Sequence, residues 1–306
     1  MISIIGSGLV GSSIAFLCAS QELDDIVLVN RTKDKAVGKA LDISNSIPSN
    51  SQFSISGTDD WSKISGSKII VIASSIGIYT NDRAEQIELQ VQMIKTISEN
   101  ISKYCPNAII LVVSNPLDVL TFFVQKFTNL PRFKVIGIAS SLDSSRLRYC
   151  ISKKINVTQN LVTGSLVLGE HGDSMVPIFS NVKISGKSVN QILSQDEIDS
   201  ISSEVKQYWK TLRSFKTRSH CGIAKMTFDV IKSLVQSTPI EIPASVVLCG
   251  EYDQNQVCIG VPVRIESDGV SQIILKNLSD NEQKLFEISA SKIKCQILSQ
   301  ISKGTN

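Results

Sequence analysis

Gly6-Ser7-Gly8-Leu9-Val10-Gly11 follows the apolar run Met1–Ile5 directly and opens a second apolar stretch through Ile14, Ala15 and Leu17. Few folds place glycines at this spacing between a strand and a helix. The first glycine permits a tight turn, and the second lets a pyrophosphate approach the backbone. The third lets helix and strand pack closely, with the helix N-terminus facing the phosphates. The expectation is a dinucleotide-binding unit with Gly6, Gly8, Leu9, Val10 and Gly11 as its phosphate loop.

Further β-rich runs follow at Ile26–Val29, Phe53–Ser56, Lys68–Ala73, Ala108–Ser114 and Lys134–Ala139. Most are continuously apolar, as strands covered on both faces are, and Ile87, Val91, Ile94, Ile97 and Ile101 between two of them share one face of a helix. Later runs at Gln256–Ile265 and Gly269–Leu275 read as antiparallel. Before them, Ile198, Ile201, Val205, Trp209 and Leu212 line one face of a long helix, and the periodicity resumes with Ile223, Val230 and Leu234. The predicted fold is α/β, an N-terminal Rossmann doubly wound parallel sheet with a C-terminal α+β domain. Residues 1–142 form the expected dinucleotide-binding domain and residues 143–306 the catalytic, substrate-binding one.

Composition narrows the partners. With 42% apolar and 19% charged residues in 306, the chain is globular rather than disordered, and a net charge of +3 is too small to imply a dedicated nucleic-acid surface. A small molecule is the expected ligand. No run approaches the roughly 18 apolar residues of a membrane span and no basic leader precedes Ile2, so the expectation is a cytoplasmic protein without membrane contact. The seven cysteines (Cys18, Cys105, Cys150, Cys221, Cys249, Cys258, Cys295) include no C-x-x-C pair. They read as buried small hydrophobes of a reducing compartment, with no metal site.

An acid is expected about 20 positions beyond the phosphate loop, at the end of the second strand, when the cofactor is NAD, because a carboxylate accepts from the ribose hydroxyls. Asn30 stands there, followed by Arg31, Thr32 and Lys33. This set suits a 2′-phosphate, so NADP is favoured over NAD.

One of only two histidines lies in Gly169-Glu170-His171-Gly172-Asp173-Ser174, and Leu142-Asp143-Ser144-Ser145-Arg146 places an acid and an arginine on one helical face. Ser114-Asn115-Pro116-Leu117-Asp118-Val119 ends the fifth strand, and Asp82-Arg83 lies in a loop after the fourth. With Gly250-Glu251-Tyr252 and Gly260-Val261-Pro262-Val263, these segments resemble the L-2-hydroxy acid dehydrogenase family of lactate and malate dehydrogenases, in family order. The resemblance implies that His171 exchanges a proton with the substrate oxygen while Asp143 orients its ring. It also implies that Arg146 grips the substrate carboxylate, Arg83 polarises the carbonyl from a closing loop, and Asn115 holds the substrate oxygen or the nicotinamide side of the pocket.

Two positions depart from the family. Its substrate-selecting residue, six before the loop arginine, is Arg in malate enzymes and Gln in lactate enzymes; here it is Gly77, and the loop lacks the usual Lys-Pro-Gly. Arg218, in Lys216-Thr217-Arg218-Ser219-His220-Cys221, aligns with a pocket-lining segment and is foreign to both groups. A cation there meets a second substrate carboxylate, whereas Gly77 alone suits a longer apolar 2-oxo acid. His220 is a further pocket or packing residue. The resemblance implies a malate-type enzyme ahead of a lactate or branched-chain (2-hydroxyisocaproate-type) one, acting as a homodimer or homotetramer. A non-catalytic dinucleotide-binding regulator is the alternative from another class, which the retained His171, Asp143, Arg146 and Arg83 oppose.

Overall fold

The computed structural model describes residues 1–77 and 83–303, residues 83–85 by their backbone alone. Six strands, β1 (Ile2–Ile5), β2 (Ile26–Val29), β3 (Ile55–Thr58), β4 (Ile69–Ile72), β5 (Ile109–Val112) and β6 (Val135–Gly137), pair in parallel in the order β3-β2-β1-β4-β5-β6. Helices α1 (Leu9–Ser20), α2 (Lys33–Ser44), α3 (Arg83–Tyr104) and α4 (Leu117–Thr128) lie between them, and α5 (Ser140–Lys154) follows β6. Every residue of β1, β2, β4 and β5 is buried, which explains their Ile, Val and Leu content; the one polar member, Ser3, shares a hydrogen bond with Ser67 Oγ at 2.7 Å. β3 begins two residues later than the run at Phe53 suggests. Phe53 is exposed, and the backbone N–H and hydroxyl of Ser54 donate to Asp25 Oδ1, so pairing with β2 starts at Ile55.

After α5 come β7 (Val162–Thr163), β8 (Leu166–Leu168), β9 (Val176–Ile178), β10 (Lys183–Ile184) and β11 (Lys187–Ser188), then α6 (Gln195–Ser214) and α7 (Cys221–Gln236). The chain ends in β12 (Ile240–Cys249), β13 (Asn255–Glu266), β14 (Gly269–Ile273) and α8 (Asp280–Ser302). These last three strands are antiparallel, and β12 joins β6 through the pair Ser245 and Gly137, extending the sheet to nine strands. A second core, with Leu147 and Ile151 of α5 and Ile198, Ile201 and Val205 of α6, lies outside that sheet. Capping boxes at Ser194 with Glu197 and at Ser279 with Glu282 start α6 and α8, each cap contributing about 1 kcal/mol.

Two sequence expectations need correction. Trp209 does not share the buried stripe of α6, because the second core ends at Val205; Trp209 is exposed, with the Arg213 guanidinium 4.9 Å from its ring centre, and Leu212 is half-buried. Nor are all cysteines buried. Cys221 begins α7, Cys249 ends β12, and Cys295 faces outward on α8, and these three are exposed while the other four are buried. Among the described residues no helix is long and apolar enough to cross a membrane.

Candidate active site

The strand order reverses between β1 and β4, and a cavity of about 490 Å3 opens there at the carboxyl ends of the strands. Gly6 has φ +109°, and a methyl group on it would lie 2.5 Å from the Ala73 carbonyl oxygen. A methyl on Gly11 would run into the Gly6 carbonyl oxygen. Gly8 differs: a methyl there would meet nothing within 4 Å, so the protein itself does not require glycine at that position. The open flank of Gly8 fits a pyrophosphate lying against the loop and the start of α1.

Of the expected cofactor residues, Gly6, Gly8, Asn30 and Arg31 line this cavity, and Leu9, Val10, Gly11, Thr32 and Asn115 do not. Leu9 and Val10 open α1, Gly11 is buried beneath the loop, and Thr32 is exposed just before α2. Asn30 is more than a missing acid. Its Nδ2 donates to Ser7 Oγ at 2.8 Å, and its Oδ1 accepts the Thr32 N–H at 3.0 Å, fastening the phosphate loop to the end of β2. The wall also holds Asp59 and Trp61 beyond β3 and Ser74 and Ser75 beyond β4, none of which the glycine motif points to.

A link runs from this cavity to the histidine. Ser114 Oγ donates to the Ser74 carbonyl oxygen at 2.7 Å, and exposed Asn115 follows, joined to Pro116 by a cis peptide bond. At the start of α4, Asp118 Oδ2 accepts the His171 backbone N–H at 2.8 Å. His171 Nδ1 lies 2.6 Å from Asp143 Oδ2, and Arg146 Nη1 donates to Asp143 Oδ1 at 2.9 Å, both partners coming from one face of α5. The Tyr208 ring lies 5.1 Å from the Arg146 guanidinium. Asp143 is 1% exposed, Arg146 10% and His171 20%. With the Nδ1 proton directed at Asp143, Nε2 is the ring atom left for proton exchange.

Electrostatics favour a protonated ring. Burial lowers the His171 pKa, but the charge and hydrogen bond of Asp143, helped by Asp118, outweigh it, and the net shift is upward. Behind the histidine, burial raises the Glu170 pKa while Lys292, donating at 2.7 Å, and Ser174 lower it further, leaving the carboxyl below its ordinary range. Glu170 N–H donates to Ser289 Oγ of α8 at 2.8 Å, so both residues flanking the Glu170–His171 peptide are anchored to other elements. Asp118, Glu170 and Lys292 carry no assigned role in the sequence reading, because their partners are 53, 119 and 122 positions away.

Gly77 follows Ser75 and Ile76 of the cavity wall, with φ +72°, and a methyl group on it would meet no atom of the described residues within 4 Å. Arg83 begins α3; its side chain lies outside the described residues. The structure does not bring Arg218 into one cavity with the histidine: it is exposed between α6 and α7 and lines a second cavity of about 560 Å3 with Arg213, Lys216 and Thr217, to which His171, Asp143 and Arg146 do not contribute. The start of α7 abuts α5: a methyl on Gly222 would lie 2.7 Å from Leu142 Cδ1, one residue before Asp143. His220 is half-buried, with Nδ1 3.0 Å from Cys221 Sγ.

The family models for the lactate/malate dehydrogenase NAD-binding domain and alpha/beta C-terminal domain match residues 1–137 and 140–303. The chain belongs to the lactate/malate dehydrogenase family. It is 35% identical over 302 residues to a malate dehydrogenase from Ehrlichia canis, with 96% of each chain covered. The structure of the malate dehydrogenase from Aeropyrum pernix superposes with a TM-score of 0.93 at 29% identity, covering 98% of each chain. A lactate dehydrogenase from Cryptosporidium parvum, solved with lactic acid and nicotinamide adenine dinucleotide, matches with a TM-score of 0.93 at 32% identity, covering 98% of this chain and 97% of its own. As a lactate/malate dehydrogenase family member, the chain is a dinucleotide-dependent oxidoreductase acting on the CH–OH group of a 2-hydroxy acid.

Proposed function

We propose that this dehydrogenase interconverts L-malate and oxaloacetate. The observation that carries the reading is the series Arg146, Asp143 and His171, with Asp143 buried between its two half-buried partners, linked through Asp118 and Ser114 to the dinucleotide crevice. The bound dinucleotide supplies the hydride acceptor for malate oxidation. His171 Nε2 takes the hydroxyl proton in that direction and returns it in the other, while Asp143 holds the ring. Arg146 engages the carboxylate next to the reacting carbon, Asn115 the substrate oxygen, and Arg83 the carbonyl as charge develops on it.

Selection of a dicarboxylate falls to Arg218, since Gly77 offers no side chain. The approach of Gly222, four residues beyond Arg218, to Leu142 beside Asp143 supports a place for Arg218 on that side of the site. Malate dehydrogenases among the relatives support the same choice.

The same proposal gives NADP(H) preference over NAD(H), supported by Asn30 in the place of an acid and by Arg31 on the cleft wall. A homodimer or homotetramer in the cytoplasm completes it, with exposed Trp209 and Phe215 near the end of α6 as apolar surface for a neighbour. The test is oxidation of L-malate with NADP+ or NAD+, followed by the appearance of reduced nicotinamide. Turnover of L-malate with D-malate inert supports the reading; no turnover of either contradicts it.

A further inference from the structure

We propose that Asp59 is a cofactor-selecting residue whose carboxylate accepts from the adenosine ribose hydroxyls and opposes a 2′-phosphate. The proposal deepens the reading of the crevice as a dinucleotide site and of Arg31 as a phosphate partner. In a strand-turn-helix unit of this kind the ribose lies at the end of the second strand. Asn30 occupies that end, and both sides of its amide are engaged, by Ser7 and by the Thr32 N–H.

Asp59 stands one strand across. Val29 pairs with Thr58 in parallel register, and the Asn30 N–H donates to the Thr58 carbonyl oxygen at 3.0 Å, so Asp59 follows immediately beyond the ribose end of β2. Asn30, Arg31 and Asp59 line the same cavity, and among its described lining residues Arg31 carries the one positive charge and Asp59 the one negative charge. Both side chains are exposed. The carboxylate missing from β2 is therefore present beyond its neighbour, on the wall of the cavity that Arg31 also lines. Ribose hydroxyls donate to a carboxylate, whereas a 2′-phosphate placed beside it meets like charge. Arg31 and Asp59 pull selectivity in opposite directions, and Asp59 limits a preference that Arg31 creates.

The experiment measures calorimetric binding of AMP and adenosine 2′,5′-bisphosphate to the intact protein, alongside kcat/KM for NADH and NADPH. Asp59→Asn is expected to tighten the bisphosphate about tenfold and weaken AMP several-fold, while Asp59→Glu keeps the ratio within about threefold. A ratio unchanged in Asp59→Asn, or equal shifts for both nucleotides, overturns the proposal and leaves the dinucleotide site standing. Arg31→Ala is expected to weaken the bisphosphate alone. If it does not while Asp59→Asn still moves the ratio, the role of Arg31 fails and that of Asp59 holds. If the unsubstituted protein binds neither nucleotide nor dinucleotide, the reading of the crevice fails and the proposal falls with it.

Discussion

Asp118 and His171 stand 53 positions apart, and Oδ2 of the aspartate accepts the backbone N–H of the histidine at 2.8 Å. Its Oδ1 accepts Ser245 Oγ at 2.6 Å, so one buried carboxyl ties the start of α4 to the histidine loop and to β12. Asp118→Asn cannot accept at both positions without turning an amide N–H toward one of the donors. The expected cost is about 1–3 kcal/mol of stability, with kcat reduced on the order of tenfold and dinucleotide affinity retained. Urea unfolding and steady-state kinetics check it. Burial pushes the Asp118 pKa up to about 6, so its contribution to stability is greatest below its ordinary value of 3.8 and is lost as pH rises through about 6.

Removing the proposed proton carrier tests whether chemistry separates from binding. His171→Asn is expected to lower kcat by roughly 10²–10⁴ while NADH and NADPH affinities stay nearly unchanged. Calorimetric titration beside turnover distinguishes this from general damage to the fold, and retained turnover contradicts the role given to His171.

The pH profile has a definite sign. Reduction of the 2-oxo acid needs the imidazolium, and Asp143 holds the His171 pKa above its ordinary 6.5. Reductive kcat/KM is therefore expected to be level below the raised value and to fall as pH rises through it, with the oxidative direction rising over the same range. Asp143→Asn moves that midpoint down. Whatever stability the raised histidine contributes is fully present below its unfolded value and lost as pH climbs through the folded one.

The parallel sheet and the phosphate loop were legible because both rest on local patterns, the unbroken burial of strands such as Ile69–Ile72 and the glycine spacing at Gly6, Gly8 and Gly11. The Asp143 and Arg146 pair was legible for the same reason, being one helical turn apart. Long-range partners left no such mark. The bonds of Asp118 to His171 and of Lys292 to Glu170 depend on how distant elements meet, as does the arrival of Asp59 beside Asn30. Amphipathic periodicity likewise reads Trp209 as buried, because it registers a face of α6 and not where the neighbouring core stops.

Substitution of Arg218 tests how a second carboxylate is met. In a closed pocket an unpaired charge is costly, so Arg218→Thr is expected to lower kcat/KM for oxaloacetate by about 2–4 kcal/mol, roughly 30- to 1000-fold, with pyruvate little affected. Parallel kinetics on the two substrates check it. Equal losses on both place Arg218 in folding or subunit contact instead.

Substrate choice by the unsubstituted enzyme is the most direct measurement: kcat/KM for oxaloacetate, pyruvate and 2-oxoisocaproate, each with NADPH and with NADH. The account predicts that oxaloacetate leads with either cofactor and that NADPH exceeds NADH for it. A protein that reduces 2-oxoisocaproate or pyruvate and ignores oxaloacetate contradicts it.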